Sequence, residues 1–151
     1  MEPYEQNILQ HIEKHGCSVT SVFDPKEIDP PFSYSIGIAK SSSAPELIIV
    51  GLGSKLSHWM VNEYNRRVQS GERFLPGVHY LGFLEDFAVQ FGPVAREHRE
   101  EYMRSACWLH GGSEFDALQL IWPNTSGVWP WDAEASEWLR ANQPLLSGKV
   151  A

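Results

Sequence analysis

The sequence is short of cysteine, short of basic residues and free of long apolar runs, and each shortage removes a class of protein. Two cysteines, Cys17 and Cys107, lie 90 positions apart in a chain of 151 residues. A disulfide-framed secreted domain carries more of them at regular spacings, so both thiols are expected to be reduced and mostly buried. Twelve Lys and Arg against nineteen Asp and Glu leave a formal charge of −7. That sign is wrong for a protein that tracks a phosphate backbone, so no nucleic-acid polymer is expected as a partner. No apolar stretch approaches the ~18 residues of a membrane helix, and no membrane partner is expected either. The opening Met1-Glu2-Pro3-Tyr4-Glu5 lacks the basic start and apolar core of a signal peptide, which makes a cytoplasmic location the expectation. Repeats, low-complexity tracts and long linkers are also missing. The chain reads as one domain over residues 1–151, with 147–151 frayed.

What the chain has in excess is aromatic: six Trp, five Tyr and seven Phe. That is more than so small a core usually requires, and a hydrophobic share of 42% is too high for a disordered chain.

Periodicity divides the chain into elements. Tyr4, Ile8, Leu9 and Ile12 share one face of a first helix, which Gly16 ends. Cys17–Phe23 reads as a strand and 26–31, with its Pro30-Pro31, as a loop. Phe32, Tyr34, Ile36 and Ile38 alternate with small residues in a half-buried strand, and 40–45 reads as a loop. Leu47–Val50 is a continuous apolar run, suited to a central strand covered on both faces. Leu56, Met60, Tyr64 and Val68 recur every four residues on a second helix. Short strands follow at Val78–Leu81 and around Phe87–Phe91, then a third helix over 95–109. The last strand, 115–122, sets Leu118, Leu120 and Trp122 on one side, and Asp132 is the N-cap candidate of a final short helix. These elements predict an α+β fold: a mixed, mostly antiparallel sheet of about six strands with three to four helices packed against it. A partly closed β-barrel with helices is the alternative. The one parallel crossover expected runs from Leu47–Val50 through the second helix to Val78–Leu81.

Several motifs carry chemistry. Gly51-Leu52-Gly53-Ser54-Lys55 joins a buried strand to a helix, where free N–H groups and the helix dipole attract anions. It lacks the third glycine of a dinucleotide fingerprint and the Gly-Lys-Ser/Thr ending of a P-loop, so a plain β-to-α turn explains it as well. His11 and His15 are four apart on the first helix, but Ile12 stands where a zinc-protease motif has Glu and no third ligand is near in sequence. No metal ligands are therefore assigned. His58 and Asn62 are likewise four apart, and His98 falls on an apolar stripe. His58 and His79 are the candidates for a general base. Nothing in sequence pairs Cys107 with His110 beyond their spacing of three on a helix; such a pair would lower the thiol pKa only if both faced a cleft. Glu46, at the mouth of the buried strand, is a candidate acid or ligand anchor. Trp122-Pro123 and Trp129-Pro130-Trp131 hold three indoles around a turn, where they either stack on flat or cationic ligands or cap the sheet.

Together Pro31-Phe32-Ser33-Tyr34-Ser35-Ile36-Gly37-Ile38, Pro45-Glu46-Leu47-Ile48-Ile49-Val50-Gly51-Leu52, Ala117-Leu118-Gln119-Leu120-Ile121-Trp122-Pro123, Trp129-Pro130-Trp131 and Gln143-Pro144-Leu145-Leu146 resemble the bacterial domain-of-unknown-function family numbered 4262. The resemblance runs in order from about Ile12 to Leu146. It implies a bacterial single-domain protein and leaves the activity open. Members often carry His before the Pro-Glu-Leu and Asp after the Trp-Pro, where this chain has Ala44 and Asn124.

The residues favour a small-molecule site lined by Tyr34, Glu46, the Gly51-Gly53-Ser54 turn, His58, Trp122, Trp129 and Trp131. Its ligand would be anionic or heteroaromatic, such as a nucleotide or flavin; no cofactor is assigned, and whether a reaction follows is left open. The alternative is a protein-interaction module whose exposed tryptophans anchor a basic partner. A metal-dependent hydrolase comes third, on the histidine count alone. A pocket beside the glycine turn separates the first reading from the flat patch of the second.

Overall fold

In the computed structural model, which describes residues 2–147, six strands form one open mixed sheet. They are β1 (Ser18–Val22), β2 (Phe32–Ile36), β3 (Glu46–Val50), β4 (Tyr80–Leu84), β5 (Phe87–Pro93) and β6 (Ala117–Ile121). Six helices accompany them among the described residues: α1 (Pro3–His15), α2 (Ile38–Ser41), α3 (Ser54–Gln69), α4 (Arg96–Tyr102), α5 (Arg104–His110) and α6 (Glu137–Asn142). The strand order is β1-β2-β3-β6-β5-β4. The sheet ends in free edges at β1 and β4, so the barrel alternative does not apply. Apart from Ser147, the expected fraying of 147–151 falls outside the described residues. No helix among those residues is long and apolar enough to cross a membrane.

Two antiparallel meanders, β1-β2-β3 and β4-β5-β6, meet where β3 and β6 pair in parallel. This corrects the expected crossover. The segment around Val78–Leu81 contributes β4, which lies at the far edge, antiparallel to β5. The physical reason is the two-residue turn Glu85-Asp86 between Leu84 and Phe87, which ties β4 to its sequence neighbour. The place beside β3 goes to β6, and all five residues of both strands are buried.

Alternation along these two strands builds a core on each face. Leu47, Ile49, Leu118 and Leu120 pack against Met60, Val61, Tyr64 and Val68 of α3. Ile48 and Val50, with Tyr34 and Ile36, pack against Ile8 of α1 and Met103 and Ala106 at α5. Each fully buried aliphatic side chain contributes about 1.5–3 kcal/mol, so the two cores together hold the sheet.

Local readings differ from the structure at three places. Residues 38–41, expected as a strand end and loop, form α2, because Gly37 turns the chain at φ 111° and three successive N–H groups point to one carboxylate. The helix expected over 95–109 breaks at Met103 (φ −104°, ψ 51°), whose side chain is fully buried. The last helix is capped by Ser136, whose hydroxyl accepts from Leu139 N–H; Asp132 instead accepts from Trp129 N–H at 2.9 Å and closes the turn before it.

Candidate functional site

A concavity near the glycine turn is built by the 24–31 loop. Asp24 organises this loop, its carboxylate accepting from the N–H groups of Lys26 (3.0 Å), Ile28 (3.1 Å) and Asp29 (3.0 Å). These bonds, Asp29's foremost, hold its carboxyl below the usual carboxylate range. Glu27 sits at φ 54°, a left-handed conformation uncommon for a residue with a Cβ. The loop ends at Pro31, whose carbonyl accepts from Gly51 N–H at 2.8 Å.

Gly51 in turn accepts from Asn142 Nδ2 at 3.0 Å, which fixes α6 opposite the loop. Gly51 adopts φ 95°, and a Cβ there would overlap the Asn142 carbonyl oxygen and approach Trp122 Cζ2 to 2.9 Å. Only glycine fits this brace. Trp122, 5% exposed, closes it by donating its indole N–H to the Val50 carbonyl at 2.9 Å.

Between the loop and α6 lies a cleft of about 480 Å³, lined by Phe23, Ile28, Pro30, Pro31, Trp138, Ala141 and Asn142 with the carboxylates of Asp24, Glu27 and Asp29. Among the described residues, no basic side chain lines it. Its size is that of a small-molecule site. Phe23, Ile28 and Trp138 are 60%, 76% and 64% exposed, so the mouth is apolar and uncovered.

The structure divides the residues singled out by sequence into separate groups. Gly51 and Trp122 stand together as the brace behind the cleft. Gly53 has open space where a Cβ would be, and Ser54 shares a shallow hollow with Lys55, His58 and Phe23, beside the cleft. Trp129 and Trp131 stack in parallel (5.3 Å between centroids, 4° between planes) at another place. His79 lies over Trp129 and bonds to Gln90 Nε2 at 3.0 Å. Trp131 there lines a hollow of about 210 Å³ with Gln90, Ile121 and Leu145. Tyr34 is buried in the core; its hydroxyl accepts from Ser105 N–H at 3.1 Å, and burial pushes its pKa up.

Glu46 is fully buried and forms a centre of its own. Its carboxylate accepts from Ser35 Oγ (2.7 Å) and from the N–H groups of Gly37 (3.0 Å), Ile38 (3.0 Å) and Ala39 (3.2 Å), and it bonds to His110 Nε2 at 2.7 Å. The serine here bonds to the carboxylate, not to the imidazole, so this is not the order of a nucleophilic triad. Because His110 turns to Glu46, the Cys107–His110 pairing that their spacing would allow does not form. Cys107 Sγ donates to the Arg99 carbonyl at 3.5 Å, and burial raises its pKa. Cys17 is pushed up to about 12 by burial and, secondarily, by the negative charge of Glu46. Neither thiol is disulfide-bonded.

Sequence reasoning missed the cleft residues Phe23, Asp24, Ile28, Trp138 and Asn142. A signal was present: three carboxylates and three prolines follow Phe23 within eight positions. Trp138 was hidden by the final helix, which reads as a plain amphipathic segment. At the two positions where the chain departs from the pattern it resembles, Ala44 is buried in the α3-side core, and Asn124 Oδ1 accepts from Ser126 and Val128 N–H to shape its turn. Among the described residues, no group of three or more His, Cys, Asp or Glu could hold a metal ion.

Comparison with known proteins adds one finding. The profile of DUF4262, a domain of unknown function, matches residues 11–136, more than half of the chain. No match was found among curated proteins or solved structures.

Proposed function

We propose that this chain, which belongs to the domain-of-unknown-function family 4262, binds a small cationic molecule with a flat or apolar body in the cleft between the 24–31 loop and α6. The lining carries this reading: an aromatic and aliphatic floor, three carboxylates and, among the described residues, no Lys, Arg or His. An amine or guanidinium placed over the Trp138 ring gains both Coulomb attraction and a cation–π contact. The nucleotide or flavin expected from the glycine turn suits the cleft poorly. Phosphate would meet Asp24, Glu27 and Asp29, and Gly51 N–H is already taken by Pro31.

The test is a thermal-shift and calorimetric screen of aromatic and aliphatic amines beside nucleotides and flavins. Stabilisation by amines that disappears in Trp138→Ala is the expected result. Stabilisation by nucleotides alone, or an amine effect unchanged in Trp138→Ala, overturns the reading.

The exposure of Phe23, Ile28 and Trp138 at the mouth favours a second reading, in which a protein partner supplies the cation as Lys or Arg. A basic peptide that binds where free amines do not distinguishes the two.

A further inference from the structure

We propose that the hollow beside Trp131, on the sheet face opposite α3, binds an uncharged, flat nitrogen heterocycle that carries an N–H donor. Strand register places it. Gln90 pairs with Ile121 and Gly92 with Gln119 across β5 and β6, so all four share one face, while Phe91 and Leu120 turn to the α3-side core. These four residues form the floor of a space of about 210 Å³, and Trp131 and Leu145 wall it. Gly92 leaves the floor bare; a Cβ there would come within 3.1 Å of Ile121 Cδ1. Pockets for drug-sized ligands run to ~300–1,000 Å³, so this smaller space suits one ring or two fused rings.

Both walls are held in place. Gln119 donates from Nε2 to the Pro144 carbonyl (2.8 Å) and accepts at Oε1 from Leu146 N–H (2.9 Å), which sets Leu145 between two anchors. Arg140 donates to the carbonyls of Pro130 (3.3 Å) and Asp132 (2.9 Å), gripping the residues on either side of Trp131. Trp129 stacks on the Trp131 ring, yet Trp131 stays 47% exposed. An indole held this way stacks on a flat ring with little further ordering cost.

The polar groups select the ligand. Among the described residues no charged side chain lines the hollow, so neither a phosphate nor an ammonium finds a counter-ion there. Its anchor is Gln90, which is 9% exposed. An amide nitrogen can only donate, so in the 3.0 Å contact between Gln90 Nε2 and His79 Nε2 the imidazole accepts. Gln90 Oε1 is left as the free end: it accepts no hydrogen bond among the described residues and is not sealed from solvent. The Gln119 amide, by contrast, is used at both ends. A ligand N–H on Oε1 satisfies the acceptor that the fold leaves open. Stacking on Trp131 combined with that bond is the chemistry of a purine or pyrimidine ring without its phosphate. The hollow and the acidic cleft share no lining residue, so this site stands or falls apart from the amine reading.

The experiment titrates the full chain at neutral pH with adenine, hypoxanthine and theophylline, followed by tryptophan fluorescence and calorimetry. Caffeine, which is theophylline with its N–H methylated, is the control. The expected result is saturable binding of at least one of the three, with theophylline ahead of caffeine. Trp131→Ala lowers the affinity about fivefold or more, and Trp131→Phe, which keeps a ring, restores part of it. Gln90→Leu lowers it about threefold or more and abolishes the preference for theophylline over caffeine. Trp138→Ala, in the acidic cleft, leaves it unchanged. No saturable binding by any of the three overturns the site, as does an affinity indifferent to Trp131→Ala or lowered by Trp138→Ala. The comparison of theophylline with caffeine is made in the parent chain, so it holds even where a variant fails to fold. Equal affinity for the two, or a preference that survives Gln90→Leu, overturns the role of Gln90 as acceptor.

Discussion

His110 Nε2 lies 2.7 Å from Glu46 Oε2, joining the end of α5 to the start of β3 across 64 positions of sequence. Five donors converge on the two oxygens of this fully buried carboxylate, three of them the backbone N–H groups that open α2. Glu46→Ala leaves all five without an acceptor and is expected to destabilise the fold by about 3 kcal/mol or more. His110→Ala removes one partner of five and costs about 1–2 kcal/mol. Urea denaturation of both variants checks the order; equal losses would show that the imidazole, not the α2 N–H groups, dominates.

Gly51 and Gly53 flank one turn and differ in what surrounds them. Gly51→Ala meets a left-handed φ and the Asn142 carbonyl, and is expected to cost about 2–4 kcal/mol. Gly53→Ala has open space and should stay within about 0.5 kcal/mol of the parent. Denaturant midpoints of the pair give the comparison.

Alkaline pH should loosen the protein through Cys17. Its thiol ionises from pH 9 in the unfolded chain, whereas the folded chain holds the proton to about 12. The unfolded state thus binds fewer protons over that window, and stability falls as pH rises, by up to about 1.4 kcal/mol per pH unit from this group. Tyr34 and Tyr64, both raised by burial, steepen the fall above pH 10. In Cys17→Ala the slope between pH 9 and 10 should flatten by about half a proton at the start of that range, rising towards one at its end, measured from urea midpoints.

The Asp24 carboxyl titrates lower folded than unfolded. Its contribution is complete above the usual carboxylate range and is lost only as pH falls through the depressed folded value. Asp24→Ala frees the N–H groups of Lys26, Ile28 and Asp29 and should disorder the 24–31 loop while the sheet stays intact. Amide exchange of those residues, against that of β3, reports it.

Reversing charge at the cleft mouth should act on binding rather than stability. Glu27→Lys with Asp29→Lys replaces two exposed carboxylates, so the melting temperature should shift little. Affinity for an amine that stabilises the parent chain should fall, and its salt dependence should weaken. An affinity left unchanged would place the amine elsewhere.

Much of this architecture is legible in the amino-acid pattern, because burial imposes periodicity. The apolar run 47–50 and the alternation of Leu118, Leu120 and Trp122 mark the two central strands, and the four-residue recurrence of Leu56 to Val68 marks α3. Two kinds of feature are hidden from such reasoning. One is strand order, since nothing local says that β6 and not β4 lies beside β3. The other is the meeting of side chains distant in sequence: Glu46 bonds to His110, and Trp138 lines one cleft with Asp24. The Trp122–Trp131 turn attracts attention by composition, yet Trp122 is spent on bracing Gly51. The more exposed of the cleft's two aromatics, Trp138, comes from a helix with no motif at all.

The parallel seam between β3 and β6 also bears on how the chain reaches this state. Each meander pairs strands close in sequence, whereas the seam sets Glu46 opposite Ala117, 71 positions on. Closing so long a loop carries an entropic cost before any contact repays it, and folding slows as such pairings come to dominate. The two meanders are therefore expected to assemble first, and their joining along β3 and β6 to limit the rate. Substitutions at Ile48 or Gln119 should slow folding more than equally destabilising ones at Thr20 or Phe87.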